Sequence, residues 1–114
     1  MLTSLILTFF MNVYINPDLV RYGDFHTFKE GDKVAVVDSK KVYESFKEYK
    51  IILKENLKPG TARYTHLMST CTTKYKNLLK KHAYGKYVLV VELGGVKDYK
   101  TTNITHSIIG TKVL

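Results

Sequence analysis

KVAVVD at residues 33–38 and KYVLVVE at residues 86–92 decide how this chain folds. Each is an apolar run of strand length, and Val34–Val37 is unbroken, the pattern of a strand buried on both faces. Between them the apolar residues recur at three and four, so the segment order is strand–helix–helix–strand. Asp38 or Ser39 stands at the N-cap position of the first helix. Val42, Phe46, Tyr49, Leu53 and Leu57 follow along one stripe, with Lys40, Lys47, Lys54 and Lys58 on one flank and Glu44, Glu48 and Glu55 on the other. Pro59-Gly60 stops that helix. Thr61 is the next N-cap, and Tyr64, Leu67, Met68, Cys71, Tyr75, Leu78, Leu79 and His82 form the clearest stripe in the chain, ended at Gly85.

Two such stripes joined by a short turn pack as an antiparallel hairpin. The hairpin returns the chain to its starting end, so strands 34–37 and 87–92 are expected to pair antiparallel. The predicted class is α+β: a small antiparallel sheet with an antiparallel helical hairpin inserted between two central strands. At 114 residues this is a single domain, with an apolar segment and loop over 1–32 and the core over 33–114. So small a core makes self-association an expected source of further buried area.

The net charge of +8 is unevenly spread. Residues 1–38 sum to −2, residues 39–86 to +9 and residues 87–114 to +1, and no acidic residue falls between 56 and 91. Arg63, Lys74, Lys76, Lys80 and Lys81 lie off the apolar stripe of the second helix. Together with Lys40, Lys47, Lys54 and Lys58 they form the expected partner-binding surface, suited to nucleic acid, acidic lipid or acidic protein segments. The alternative is a solvated lysine face.

Outside the helices the punctuation is plain. Asn16-Pro17-Asp18 is a turn, residues 18–32 read as a loop or irregular strand, and Gly94-Gly95 reads as a tight hairpin turn. A Thr-rich strand is expected over 99–104, with Thr105 capping a short terminal helix. Residues 2–15 are almost uncharged, yet shorter than the roughly 20 residues of a membrane span. They have the apolar length of a secretory signal but neither a basic start nor a small-x-small cleavage site. A buried strand or interface segment is the expectation there.

No catalytic constellation is visible, and an enzyme is not expected. Cys71 lies in an apolar stripe, where an inert thiol is the expectation, and a lone cysteine builds neither a disulfide nor a cysteine metal site. His26, His66, His82 and His106 are scattered, so neither metal nor cofactor is called for. Asp38 and Glu92 end the two central strands and are candidates for an acid–base pair, against a helix cap and an ordinary strand-end charge. Lysines interleaved with Tyr43, Tyr64, Tyr75, Tyr84 and Tyr87 offer phosphate contacts and stacking, although arginine is limited to Arg21 and Arg63.

KVAVVDSKKVYESF at residues 33–46 and KYVLVVELGGVKDYKTTNITHSIIGTKVL at residues 86–114 resemble the opening and closing strand regions of the OmpH/Skp family of periplasmic chaperones. That resemblance implies a trimeric β-body with helical arms that hold unfolded membrane proteins without cofactor or ATP, in the periplasm; otherwise an intracellular site is expected. The departures are arms confined to 39–85, absent signal-peptide features, and residues 1–32 without a family counterpart. The expected function is therefore a non-enzymatic protein-binding module, an OmpH/Skp-like holdase or shortened relative acting on unfolded or acidic clients. A basic nucleic-acid or ribonucleoprotein-associated protein and a structural subunit of a larger assembly are the alternatives.

Overall fold

The computed structural model describes residues 13–111. Its strands are β1 (Tyr14–Ile15), β2 (Val20–Tyr22), β3 (Val34–Val37), β4 (Leu89–Glu92), β5 (Val96–Lys97) and β6 (Thr101–Asn103). Its α-helices are α1 (Ser39–Glu44), α2 (Lys47–Lys54), α3 (Ala62–Ala83) and α4 (Thr105–Ile109). The α+β class holds: the helical hairpin is inserted between β3 and β4, and β1 and β5 make a small antiparallel sheet. Of the apolar segment expected over 2–15, residues 2–12 lie outside the described residues.

The central pairing departs from expectation. β3 and β4 run parallel, Val34 opposite Leu89 through Val37 opposite Glu92, and β6 pairs parallel with the other side of β3. The reason is helix length. α3 has 22 residues, whereas α1 and α2 have six and eight. At 1.5 Å per residue the returning helix is longer by about 12 Å, roughly the length of a four-residue strand. It therefore runs past the carboxyl end of β3 and delivers the chain to the amino end, where the Val88 amide donates to the Lys33 carbonyl at 2.8 Å. β2, not foreseen as a paired strand, joins the outer edge of β4 antiparallel, giving the order β2-β4-β3-β6.

Burial follows from this topology. Val34, Ala35, Val36 and Val37 are all buried, as the unbroken apolar run predicts. Ala35, Val37 and Val90 pack with Val42, Cys71, Leu78 and Leu79 from the helices. Val34, Leu89 and Val91 belong to a second cluster with Ile15, Phe25, Phe28 and Val96. Helices thus cover one face of the sheet, and the amino-terminal segment covers the other. Gly94 (φ +94°) makes the turn after β4, with the Gly95 amide donating to the Glu92 carbonyl at 2.9 Å. The turn does not close a β4–β5 hairpin, because β5 passes to β1 and the Asn16 amide donates to the Gly95 carbonyl.

The first helix is not continuous. The Ser45 hydroxyl and amide both donate to the Val42 carbonyl, and Phe46 turns extended (φ −81°, ψ 137°) to start α2. Phe46 is buried in the helix–sheet core beside Tyr43, and the break advances the register so that Ile52 is buried while Leu53 is 59% exposed. α2 ends before Pro59-Gly60. Asn56 adopts φ +51°, and the Asn56 and Leu57 amides donate to the Leu53 and Ile52 carbonyls, a Schellman closure built on asparagine. The α3 stripe is as expected, with Leu67, Cys71, Tyr75, Leu78 and Leu79 buried, and Thr61 caps the helix by accepting from the Tyr64 amide. Thr105 lies inside α4, and its hydroxyl accepts from the Asp38 amide at 2.9 Å instead of capping the helix.

Candidate functional site

Because α3 lays one face on the sheet and α2, its opposite face is free. Thr65, Ser69, Thr73, Lys76, Lys80 and the cap residue Tyr84 recur along it at helical spacing and are all exposed. Lys81 flanks the stripe, also exposed, and α3 contains no acidic residue. Lys40, Lys47, Lys54 and Lys58 are exposed as well, but Lys40 stands on α1, separated by the break from the α2 lysines.

Two of the nine expected surface cations are already paired, Lys74 half-buried and Arg63 at the surface. The Lys74 ammonium donates to both Glu48 carboxylate oxygens (2.7 and 2.8 Å) and lies 6.0 Å from the Phe46 ring centre. Arg63 forks onto both Glu55 oxygens at 2.9 Å. Burial alone raises the Glu48 carboxyl, but the Lys74 hydrogen bond, a backbone hydrogen bond and the charges of Lys74 and Lys47 together hold it below its ordinary value. The Arg63 hydrogen bond does the same for Glu55. These pairs staple α2 and its carboxyl end to α3.

Parallel pairing places the ends of β3 and β4 together, where antiparallel pairing would have parted them. Asp38 and Glu92 nevertheless form no acid–base pair. Asp38 caps α1 by accepting from the Lys41 amide at 3.3 Å. Glu92 accepts from the Ser39 amide (2.9 Å), the Ser39 hydroxyl and Arg21 Nε (3.1 Å). The Tyr75 hydroxyl bonds to Ser39 Oγ. A carboxylate only accepts, so Ser39 donates to Glu92 and Tyr75 donates to Ser39. One chain of hydrogen bonds therefore ties α3, α1, β4 and β2 together.

Burial pushes the Tyr75 phenol up; the Ser39 bond opposes this, the Glu92 charge adds to it, and the outcome is about 12 against an ordinary 10.0. A phenol so raised is a donor, not a base. Its linkage has a definite sign: above pH 10 the unfolded chain loses this proton first, so the contribution is complete below about 10 and is lost as pH rises toward 12. That loss amounts to about 2–3 kcal/mol. Urea midpoints measured from pH 9 to 12 should fall more steeply for the native chain than for Tyr75→Phe; parallel falls would contradict the assignment.

The remaining candidates are structural. Cys71 is fully buried, and burial, reinforced by the Glu48 charge, raises its thiol. His82 is lowered by burial and by Lys86 and Lys81, and its Nε2 lies 2.7 Å from Thr111 Oγ1. Thr111 Oγ1 donates to the Ser107 carbonyl, so Nε2–H is the donor by this network. His26, His66 and His106 are exposed. Among the described residues no group of three His, Cys, Asp or Glu side chains is placed to hold a metal, and no helix is long and apolar enough to cross a membrane. A cavity of about 570 Å³ at the amino ends of β3 and β6 balances Lys33 and Lys100 against Glu30 and Asp32.

No protein-family model, curated protein or solved structure matches the chain. The site must speak for itself. Arg21, Ser39 and Tyr75 escaped sequence reasoning as a group, because their meeting depends on strand direction. The lysines were legible from charge alone.

Proposed function

We propose that the protein is a non-enzymatic binding module whose helical hairpin docks acidic segments of partner proteins, in the manner of a shortened OmpH/Skp-like chaperone. One observation carries this reading. The free face of α3 presents Lys76, Lys80 and Lys81 with no acidic residue on the helix, while Glu48 on α2 and Glu55 at its end are already occupied by Lys74 and Arg63. Uncompensated like charges on a rigid helix repel one another and gain most from an anionic partner. A free face of about 33 Å favours docking along a surface over enclosing a client.

Charge, not a broad apolar patch, is the main means of contact. The large apolar residues exposed among the described residues (Tyr14, Leu53, Tyr84, Leu93 and Ile109) come from five different parts of the chain. The nucleic-acid alternative loses its stacking partners, since Tyr75 is buried and Tyr43, Tyr64 and Tyr87 are half-buried, leaving Tyr84 of that group exposed.

The test is equilibrium binding of labelled polyglutamate against ionic strength. Affinity should fall with salt, and Lys76→Glu combined with Lys80→Glu and Lys81→Glu should weaken it by at least about tenfold. An unaffected triple variant, or duplex DNA of equal charge binding more tightly than polyglutamate, would overturn the reading.

A further inference from the structure

A cleft of about 480 Å³ opens between α1, α3 and β2, beside the Tyr75–Ser39–Glu92 chain. Both of its charged lining residues, Arg21 and Lys76, are cations. Tyr43 and Thr72 supply hydroxyls to its lining, and half-buried Val20 and Met68 supply apolar surface. This mixture differs from the charge-balanced cavity at the other end of the sheet.

Arg21 is held ready rather than used up. Its Nε donates to Glu92, and among the described residues neither terminal amino group makes a hydrogen bond. Glu92 is itself fixed by the Ser39 amide and hydroxyl, so the guanidinium is anchored at one edge, with its fork still available for a second anion. Lys76 has no ion-pair partner among the described residues, and it belongs both to this cleft and to the lysine face of α3. An acidic chain lying along that face meets the cleft through Lys76.

We infer that this cleft is the anchoring subsite for the acidic partner: it takes one carboxylate side chain between Arg21 and Lys76, with an adjacent apolar side chain against Val20 and Met68. The inference rests on the docking function proposed above and narrows its partner to acidic segments that carry an apolar residue. The cleft's openness onto the lysine face is what favours a side chain of a longer chain over a free metabolite.

Two labelled octapeptides test it on the full chain: one of glutamate alone, and one with a single central leucine among glutamates. The leucine peptide should bind the native protein about tenfold more tightly, the gain from burying part of one such side chain. Arg21→Gln should weaken both peptides, since each offers the cleft a carboxylate, and should shrink the leucine preference because the neighbouring side chain is no longer anchored. Arg21 also braces β2, so Met68→Gln, at a residue that takes no part in the hydrogen bonds of the Glu92 chain, serves as the second variant and should erase the preference. Equal binding of the two peptides by the native protein, or a preference that survives Met68→Gln, overturns the cleft assignment while leaving the docking function standing. Failure of both peptides to bind at low salt removes the docking function and the subsite with it.

Discussion

Gly23→Ala is expected to destabilise the fold by about 3 kcal/mol or more, enough to remove much of the stability of a domain this small. Gly23 follows β2 at φ +92°, a left-handed conformation that costs a side-chain-bearing residue energy wherever it occurs. Space makes the larger contribution. A Cβ there would stand 2.1 Å from the Val88 carbonyl oxygen and 3.1 Å from Leu89 Cδ2. The Val88 oxygen cannot retreat easily, because its own residue donates to Lys33 at the start of the parallel ladder. Relief therefore requires β2 to leave β4, taking Arg21 from Glu92. Gly31 provides the comparison, with φ +100° and nothing within 4 Å of where a Cβ would stand, so Gly31→Ala should cost only the backbone strain, about 1–2 kcal/mol. Urea unfolding followed by far-ultraviolet circular dichroism separates the two. Equal costs would mean that the close approach of β2 to Val88 is wrong.

Leu79→Ala should cost about 3 kcal/mol, within the roughly 2–5 kcal/mol span of leucine truncation in packed cores. Leu79 is 2% exposed and belongs to the cluster that joins α3 to Val37 and Val90 of the sheet and to Val42 of α1. It lies in the half of α3 that crosses the sheet, so its loss reports on the packing that lets the helix overrun β3. Leu53→Ala, at a position 59% exposed, should change stability by no more than about 0.5 kcal/mol. A reading of periodicity alone ranks these two leucines as equals, each on the apolar stripe of its helix. Thermal or urea denaturation of the pair decides between that ranking and the broken first helix; similar losses would restore the continuous one.

What could be read from the residues was local. Asp38 and Thr61 are caps as their side chains announce, and the α3 stripe from Leu67 to Leu79 needs no tertiary knowledge. The break at Ser45–Phe46 is different: it exists because Phe46 is drawn into the core beside Tyr43, and helical spacing continues across it without a signal. Strand direction depended on comparing helix lengths. The unbroken runs VAVV and LVV also carried a hint, since parallel strands covered on both faces read as continuous apolar stretches whereas antiparallel ones more often alternate. β2 was legible only as a loop or irregular strand, because three residues of mixed polarity, Val20–Tyr22, carry too little pattern to fix a pairing. The Tyr75–Ser39–Glu92–Arg21 chain then follows from topology, uniting residues up to 71 positions apart. The lysine face, by contrast, was visible in composition, except for Lys74 and Arg63, whose pairing with Glu48 and Glu55 requires α2 and α3 to be placed side by side.

The central claim is that the free face of α3 receives an acidic partner. Its most direct test is a titration of isotope-labelled protein with polyglutamate, following backbone amide shifts residue by residue. Saturable shifts are expected to concentrate over residues 73–84, with Lys76, Lys80 and Lys81 among them, and to disappear at high salt. Shifts gathered instead around Lys33 and Lys100 at the amino ends of the strands, or none anywhere at low salt, would contradict it.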